Sequence, residues 1–113
     1  MKLFKIMSCL VALIVASFLW GKADAKDIVI GFSGPLSGPA AEYGMNCVNG
    51  LDMAVKQVNK SGGIKIKGET YNLRLEKLDD QIDPTRAVNN ARRFKEQHNA
   101  IAVFQPITAL SYA

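Results

Sequence analysis

Apolar and polar positions change period several times along the 113 residues, and each change marks an element. Ile6 to Trp20 is apolar except for Ser8, Cys9 and Ser17. Ile28-Val29-Ile30-Gly31-Phe32 is a short continuous apolar run, the pattern of a strand buried on both faces. Ser33-Gly34-Pro35-Leu36-Ser37-Gly38-Pro39 is dense in residues that break regular structure and reads as a loop. From about Ala41 to Lys60, Val48, Leu51, Val55 and Val58 fall on one stripe of an amphipathic helix, with Asn49, Lys56 and Lys60 off it. Ser61-Gly62-Gly63 ends that helix, because glycine takes the left-handed conformation without a Cβ penalty.

Ile64 to Thr70 reads as a small turn-rich excursion centred on Gly68. Tyr71, Leu73 and Leu75 then alternate with Asn72, Arg74 and Glu76, the period of a half-exposed strand at a sheet edge. Asp83-Pro84 is a helix start, an N-cap carboxylate followed by proline at the first helical position. Ala87, Val88, Ala91 and Phe94 supply its buried face. Ile101-Ala102-Val103-Phe104 reads as another short buried strand, and Gln105-Pro106-Ile107-Thr108 as the loop that follows, with a third helix beginning about there. Strands alternating with helices define an α/β domain: a parallel sheet flanked by helices, with right-handed crossovers. The edge-like second strand and the two apolar strands give the order 2-1-3. In that order a crevice opens between the carboxyl ends of strands 1 and 3, where open α/β sheets bind ligands. The loops Ser33–Glu42 and Gln105–Thr108 flank it.

The amino terminus changes how the composition is read. A basic start at Lys2 and Lys5, the apolar run and Ala23-Asp24-Ala25 are the three parts of a secretory signal peptide, cut after Ala25. The run is shorter than the roughly 20 residues that span a bilayer. Cys9 has too little apolar sequence before it to read as a lipid attachment site. The expected mature segment, residues 26–113, holds eleven basic and nine acidic residues, so the formal charge drops from +4 to +2. No basic patch with interleaved aromatics remains, which argues against a nucleic-acid partner. Cys47 is the one cysteine left, so an intrachain disulfide is excluded in that segment despite the oxidising destination.

The flanking loops are rich in hydroxyls, glycine and proline. Ser33, Ser37, Thr108 and Ser111 can donate hydrogen bonds, and backbone N–H groups at a helix start favour an anion such as a carboxylate. Tyr43, just inside the first helix, offers an apolar ring with a polar tip, to cover a ligand or to pack the helix entrance. Gly31, Gly34 and Gly38 fail the dinucleotide fingerprint on spacing. Asp79, Asp80 and Asp83 are too few oxygens for calcium and fit a helix cap and turn hydrogen bonds. His98, expected at a helix end, and Cys47 make neither metal spacing nor a nucleophile–base pair. No cofactor, metal or catalytic group is expected.

Four stretches carry a family resemblance in order and spacing: Asp27 to Gly31, Gly34 to Gly44, Val58 to Ile64, and Leu78-Asp79-Asp80 through Asp83-Pro84 to Ala87-Val88. Together they resemble the leucine/isoleucine/valine-binding type of periplasmic substrate-binding protein that serves ABC transporters. The resemblance implies a type I periplasmic-binding fold, two α/β lobes closing over an amino acid or related small molecule, with an ABC permease in the inner membrane as partner. It implies that residues 26–113 form the amino-terminal part of the first lobe, incomplete as it stands, and that this piece expressed alone folds poorly and binds no ligand. By position, Tyr43 is similar to the family's cleft-lining aromatic residue, and Thr108 to its ligand-binding hydroxyl. Pro106 and Ile107 fall where the same loop contacts ligand. Ile82 and Ile107 stand where some relatives carry a disulfide. The same resemblance fits an extracellular ligand-sensing domain of a receptor, and the abrupt end at Ala113 also fits a gene remnant.

Overall fold

The computed structural model describes residues 26–106. The expected signal segment, residues 1–25, and two of the candidate site residues, Ile107 and Thr108, lie outside them.

The elements run β1 (Lys26–Gly34), α1 (Ala41–Lys60), β2 (Ile64–Ile66), β3 (Glu69–Asp79), α2 (Pro84–Glu96) and β4 (Ala102–Phe104). The sheet order is β2-β3-β1-β4. β1 pairs in parallel with β3 on one side and with β4 on the other. The expected order 2-1-3 is therefore present as β3-β1-β4, and the carboxyl ends of β1 and β4 lie side by side.

Two expectations are corrected. The excursion before Tyr71 is a β-hairpin: β2 pairs antiparallel with the start of β3, Ile64 opposite Tyr71 and Ile66 opposite Glu69. Its two-residue turn, Lys67-Gly68, has positive φ at both positions, 49° and 83°, the conformation that matches the twist of paired strands. The edge on that side is thus the short β2, and β3 is interior over its first residues. The second correction concerns β4. Ile101, Val103 and Phe104 are 74%, 40% and 48% exposed, so this is an exposed strand, paired with β1 through Ala102, Val103 and Phe104. An apolar run reads as buried only when both faces are covered, and among the described residues neither face of β4 is.

The core is built around β1. Successive side chains of a strand point to opposite faces. Phe94 of α2 lies against Gly31, so closely that a Cβ there would meet its ring at 2.8 Å. Phe32, one residue on and fully buried, lines the α1 side together with Cys47 and Leu51. The two helices therefore cover opposite faces of the sheet. Val29, Val48 and Ala87 complete the buried apolar set. Of the face expected for α2, Ala87 and Phe94 are buried and Val88 and Ala91 are half-buried.

The helix ends follow from local chemistry. Asp83 caps α2, its carboxylate accepting from the Arg86 N–H at 2.8 Å, with Pro84 at the first position. At the end of α1, Gly62 N donates to Asn59 O and Gly63 N to Val58 O, the paired bonds of a glycine-terminated helix. Asn59 also clamps β3: its Nδ2 donates to Leu73 O, and its Oδ1 accepts from Leu73 N, each at 2.8 Å. The start of α1 has no side-chain cap. It is set by close approach: a Cβ on Gly44 would lie 1.8 Å from the Pro35 carbonyl oxygen.

That approach is testable in the full product of the reading frame. Gly44→Ala is expected to lower stability by about 1–3 kcal/mol in urea denaturation, the usual cost of overpacking. Gly50→Ala, where an added Cβ meets nothing within 4 Å, is expected to raise it by roughly 0.5–1 kcal/mol through helix propensity. Equal midpoints for the two variants would refute the packing described.

Candidate functional site at the carboxyl edge of the sheet

Parallel pairing of β3, β1 and β4 delivers three chain segments to one edge of the sheet: the β1–α1 loop, the β3–α2 loop and the segment after β4. The first two are joined by adjacent carboxylates. Asp79 Oδ1 accepts from Leu36 N at 2.8 Å and Gln81 N at 3.1 Å, and Oδ2 accepts from the Ser37 hydroxyl at 2.5 Å. Gln81 Nε2 in turn donates to Ser37 Oγ at 2.6 Å. Asp80, 1% exposed, lies beneath. Its Oδ2 accepts from Ser33 Oγ and its Oδ1 from Ile82 N, both at 2.9 Å. Asn90 of α2 donates to Ser33 Oγ and to Asp79 O, each at 3.2 Å. Asp80 N reaches Gly34 O at 3.1 Å, adding a rung to the ladder.

Each oxygen of the pair has a donor, which is what a carboxylate removed from water requires. Burial by itself pushes the Asp79 pKa up. The donations from the Ser37 hydroxyl and from the N–H groups of Leu36, Gln81 and Ser37 outweigh it and hold the group below the ordinary aspartate value. The same bonds hold Gln81 and Ile82 at φ 52° and 59°. A β-branched residue rarely adopts that conformation, and it persists where surrounding bonds over-determine it.

Two hollows flank this network. One, of about 320 Å³, lies between the two loops, lined by Pro35, Ser37, Gly38, Pro39, Ala40, Gln81 and Ile82. The other, of about 390 Å³, opens on the α1 face between β1 and β4 and is apolar, lined by residues that include Phe32, Leu51, Phe104 and Pro106. The crevice expected between the loops Ser33–Glu42 and Gln105–Thr108 is neither of these hollows: the first is lined by the former loop and the β3–α2 loop, and the second by Gln105, Pro106 and the middle of α1.

The sequence candidates separate on this map. Tyr43 stands in the first turn of α1, 49% exposed, and lines neither hollow. Pro106 lines the apolar one, and Ile107 and Thr108 follow it outside the described residues. Ser33 and Ser37 donate hydrogen bonds as expected of them, but to carboxylates of this chain, and Ser33 is 1% exposed. Asp79, Asp80 and Asp83 make the turn and cap bonds expected of them. Cys47 sits half-buried on α1, and His98 follows α2 on the other face, its ring centroid 6.0 Å from that of Phe94. Among the described residues no group of three His, Cys, Asp or Glu side chains is placed to hold a metal ion, and no helix is long and apolar enough to cross a membrane. Asn90 and Gln81 were not singled out from the sequence. The available signal for Asn90 was its spacing, three residues after Ala87 and four before Phe94, which places a polar residue on the buried stripe.

A sequence profile of the periplasmic binding protein family matches residues 27–113, and the chain belongs to that family. Over 87 residues it is 39% identical to a Leu/Ile/Val-binding protein of Rhizobium johnstonii, an alignment covering 77% of this chain and 23% of that protein. A possible leucine/isoleucine/valine-binding protein from Rhodopirellula baltica superposes with a TM-score of 0.64 at 32% identity, over 74% of this chain and 22% of that one. The substrate-binding protein of a Streptococcus pneumoniae branched-chain amino acid transporter, solved in complex with isoleucine, gives 0.59 at 29% identity, over 69% and 21%. The fold is thus a partial type I periplasmic-binding fold, and the chain spans about a quarter of the length of the curated relatives it matches.

The Asp79 bonds carry a pH signature. A carboxylate whose folded pKa lies below its unfolded value contributes stability above the unfolded pKa and loses it as pH falls through the folded one. Unfolding midpoints of the wild type are therefore expected to drop as pH falls below about 4, the unfolded aspartate range. Asp79→Asn is expected to be less stable at pH 7 and to show a shallower drop over the same interval. Parallel pH curves for the two proteins would contradict the assignment.

Proposed function

We propose that this chain supplies the amino-terminal part of the first lobe of an exported solute-binding protein serving an ABC importer, whose ligand is a branched-chain or related amino acid. In this reading residues 1–25 are a signal peptide removed after Ala25, and residues 26–113 belong to the periplasmic protein. The observation that carries it is the placement of two irregular segments, Pro35–Ala40 and Gln105-Pro106, at the adjacent carboxyl ends of the parallel strands β1 and β4. That edge is where open α/β sheets take small ligands. The likeness to proteins named for binding leucine, isoleucine and valine supports the same choice of ligand.

The mechanism is binding without chemistry. Tyr43, with its half-exposed ring at the start of α1, lines the ligand from one side. The loop Pro106-Ile107-Thr108 lines it from the other, the Thr108 hydroxyl and backbone groups meeting the ligand's polar end. A second lobe closes over the far side. A ligand that contacts both lobes prefers the closed state and shifts the hinge equilibrium by that difference in affinity. The closed form is the one that docks to the permease.

Isothermal titration of the full reading-frame product with L-leucine, L-isoleucine and L-valine tests this. Saturable binding of at least one is expected, weakened roughly tenfold by Tyr43→Ala, equivalent to about 1.4 kcal/mol of lost contact. No heat with any of the three would sink the amino-acid assignment. Binding that Tyr43→Ala leaves unchanged would remove Tyr43 from the site.

A further inference from the structure

The segment Pro35–Ala40, which launches α1, has no regular structure of its own, and α1 begins without a side-chain cap. Its place is set from outside. Leu36 N and Ser37 Oγ are tied to the two oxygens of Asp79. Gln81 closes the loop from the same strand end, its backbone N–H on Asp79 Oδ1 and its side-chain amide on Ser37 Oγ. On the other side Pro35 is pressed against Gly44, where a Cβ would not fit. Tyr43 is the residue beside Gly44. A carboxylate at the end of β3 is thus tied to the six-residue loop that leads into the first turn of α1, where Tyr43 stands.

We propose that Asp79 is a positioning residue for ligand capture: it fixes the Pro35–Ala40 loop so that α1 presents Tyr43 to the ligand, without touching the ligand itself. This rests on the reading of Tyr43 as a ligand-lining residue. The chemistry asks for a carboxylate at this point. Two oxygens receive two backbone N–H groups and a hydroxyl that is itself occupied, as acceptor, by Gln81. An asparagine keeps one acceptor and turns an N–H₂ group toward Ser37, whose oxygen already accepts a donor. Ser37→Ala removes the hydroxyl's two bonds, to Asp79 Oδ2 and from Gln81 Nε2, and leaves the backbone bonds to Asp79 in place, a gentler version of the same change.

The test uses the full reading-frame product with L-leucine as probe, or L-isoleucine or L-valine where that is the one bound, and hydrogen exchange read in the same proteins without ligand. Asp79→Asn is expected to weaken L-leucine binding by roughly tenfold and Ser37→Ala by roughly threefold, the range for a typical lost hydrogen bond. In a Tyr43→Ala background both losses are expected to shrink to nearly nothing, because the residue they position is gone. Amides from Leu36 to Gly44 are expected to exchange faster in both variants, with those of Val29 to Phe32 unchanged. Losses that add fully to that of Tyr43→Ala overturn the proposal, since a general loss of stability behaves that way. So does unchanged exchange across Leu36–Gly44. If the wild type binds none of L-leucine, L-isoleucine and L-valine, the ligand-capture role falls together with the amino-acid assignment. Intact, Tyr43-dependent binding with additive losses overturns this proposal alone.

Discussion

Two neighbouring carboxylates at the end of β3 hold the carboxyl edge of the sheet together. A parallel sheet delivers its loops to one edge but does nothing to order them, and loops with unpaired polar groups fray. Here Asp79 orders the outer layer, Leu36, Ser37 and Gln81, and Asp80 orders the inner one, Ser33 and Ile82. Asn90 crosses from α2 to Ser33 and the Asp79 carbonyl, so the second helix is tied into the same network. Buried carboxylates are destabilising unless satisfied, and satisfied ones fix a single arrangement. The left-handed pair Gln81-Ile82 is a consequence of this, since their N–H groups must turn back onto the carboxylates.

The rest of the architecture fits that constraint. β1 lies at the centre of the parallel ladder, with α2 packed on its Gly31 side and α1 on its Phe32 side. The crossovers leave in opposite directions, which brings the ends of β1 and β4 together. The pair at the end of β3 braces one wall of the opening so formed. The other wall, at β4, is exposed and its apolar side chains face outward, and the hollow beside it is apolar. The family relationship gives this asymmetry a context, because relatives carry about three quarters of their length outside the matching region.

Much of this was legible in the sequence where local chemistry decides the outcome. The stripe Val48-Leu51-Val55-Val58 and the Ser61-Gly62-Gly63 stop gave α1 its bounds, and Asp83-Pro84 gave α2 its start. The alternation of elements gave β3-β1-β4. What the sequence hid depends on partners distant along the chain. β2 is three residues long, and its turn opens on Lys67, which is not a turn signal. β4 reads as buried because apolar character says nothing about what covers it. Ser33 and Ser37 read as hydrogen-bond donors, but the carboxylates that accept from them lie more than 40 residues away. Of the four residues carried over from the family, Tyr43 stands exposed in the first turn of α1 and Pro106 lines the apolar hollow. Ile107 and Thr108 lie outside the described residues.

The most direct test of the account is a crystal structure of the full reading-frame product grown with L-leucine. The account predicts the amino acid seated above the carboxyl ends of β1 and β4, with the Tyr43 ring on one side and the Pro106-Ile107-Thr108 segment on the other. The Asp79 and Asp80 carboxylates are predicted to stand behind the β1–α1 loop, out of contact with the ligand. L-leucine bound away from that edge, or bound with Asp79 as a direct ligand while the loop is free, would contradict it.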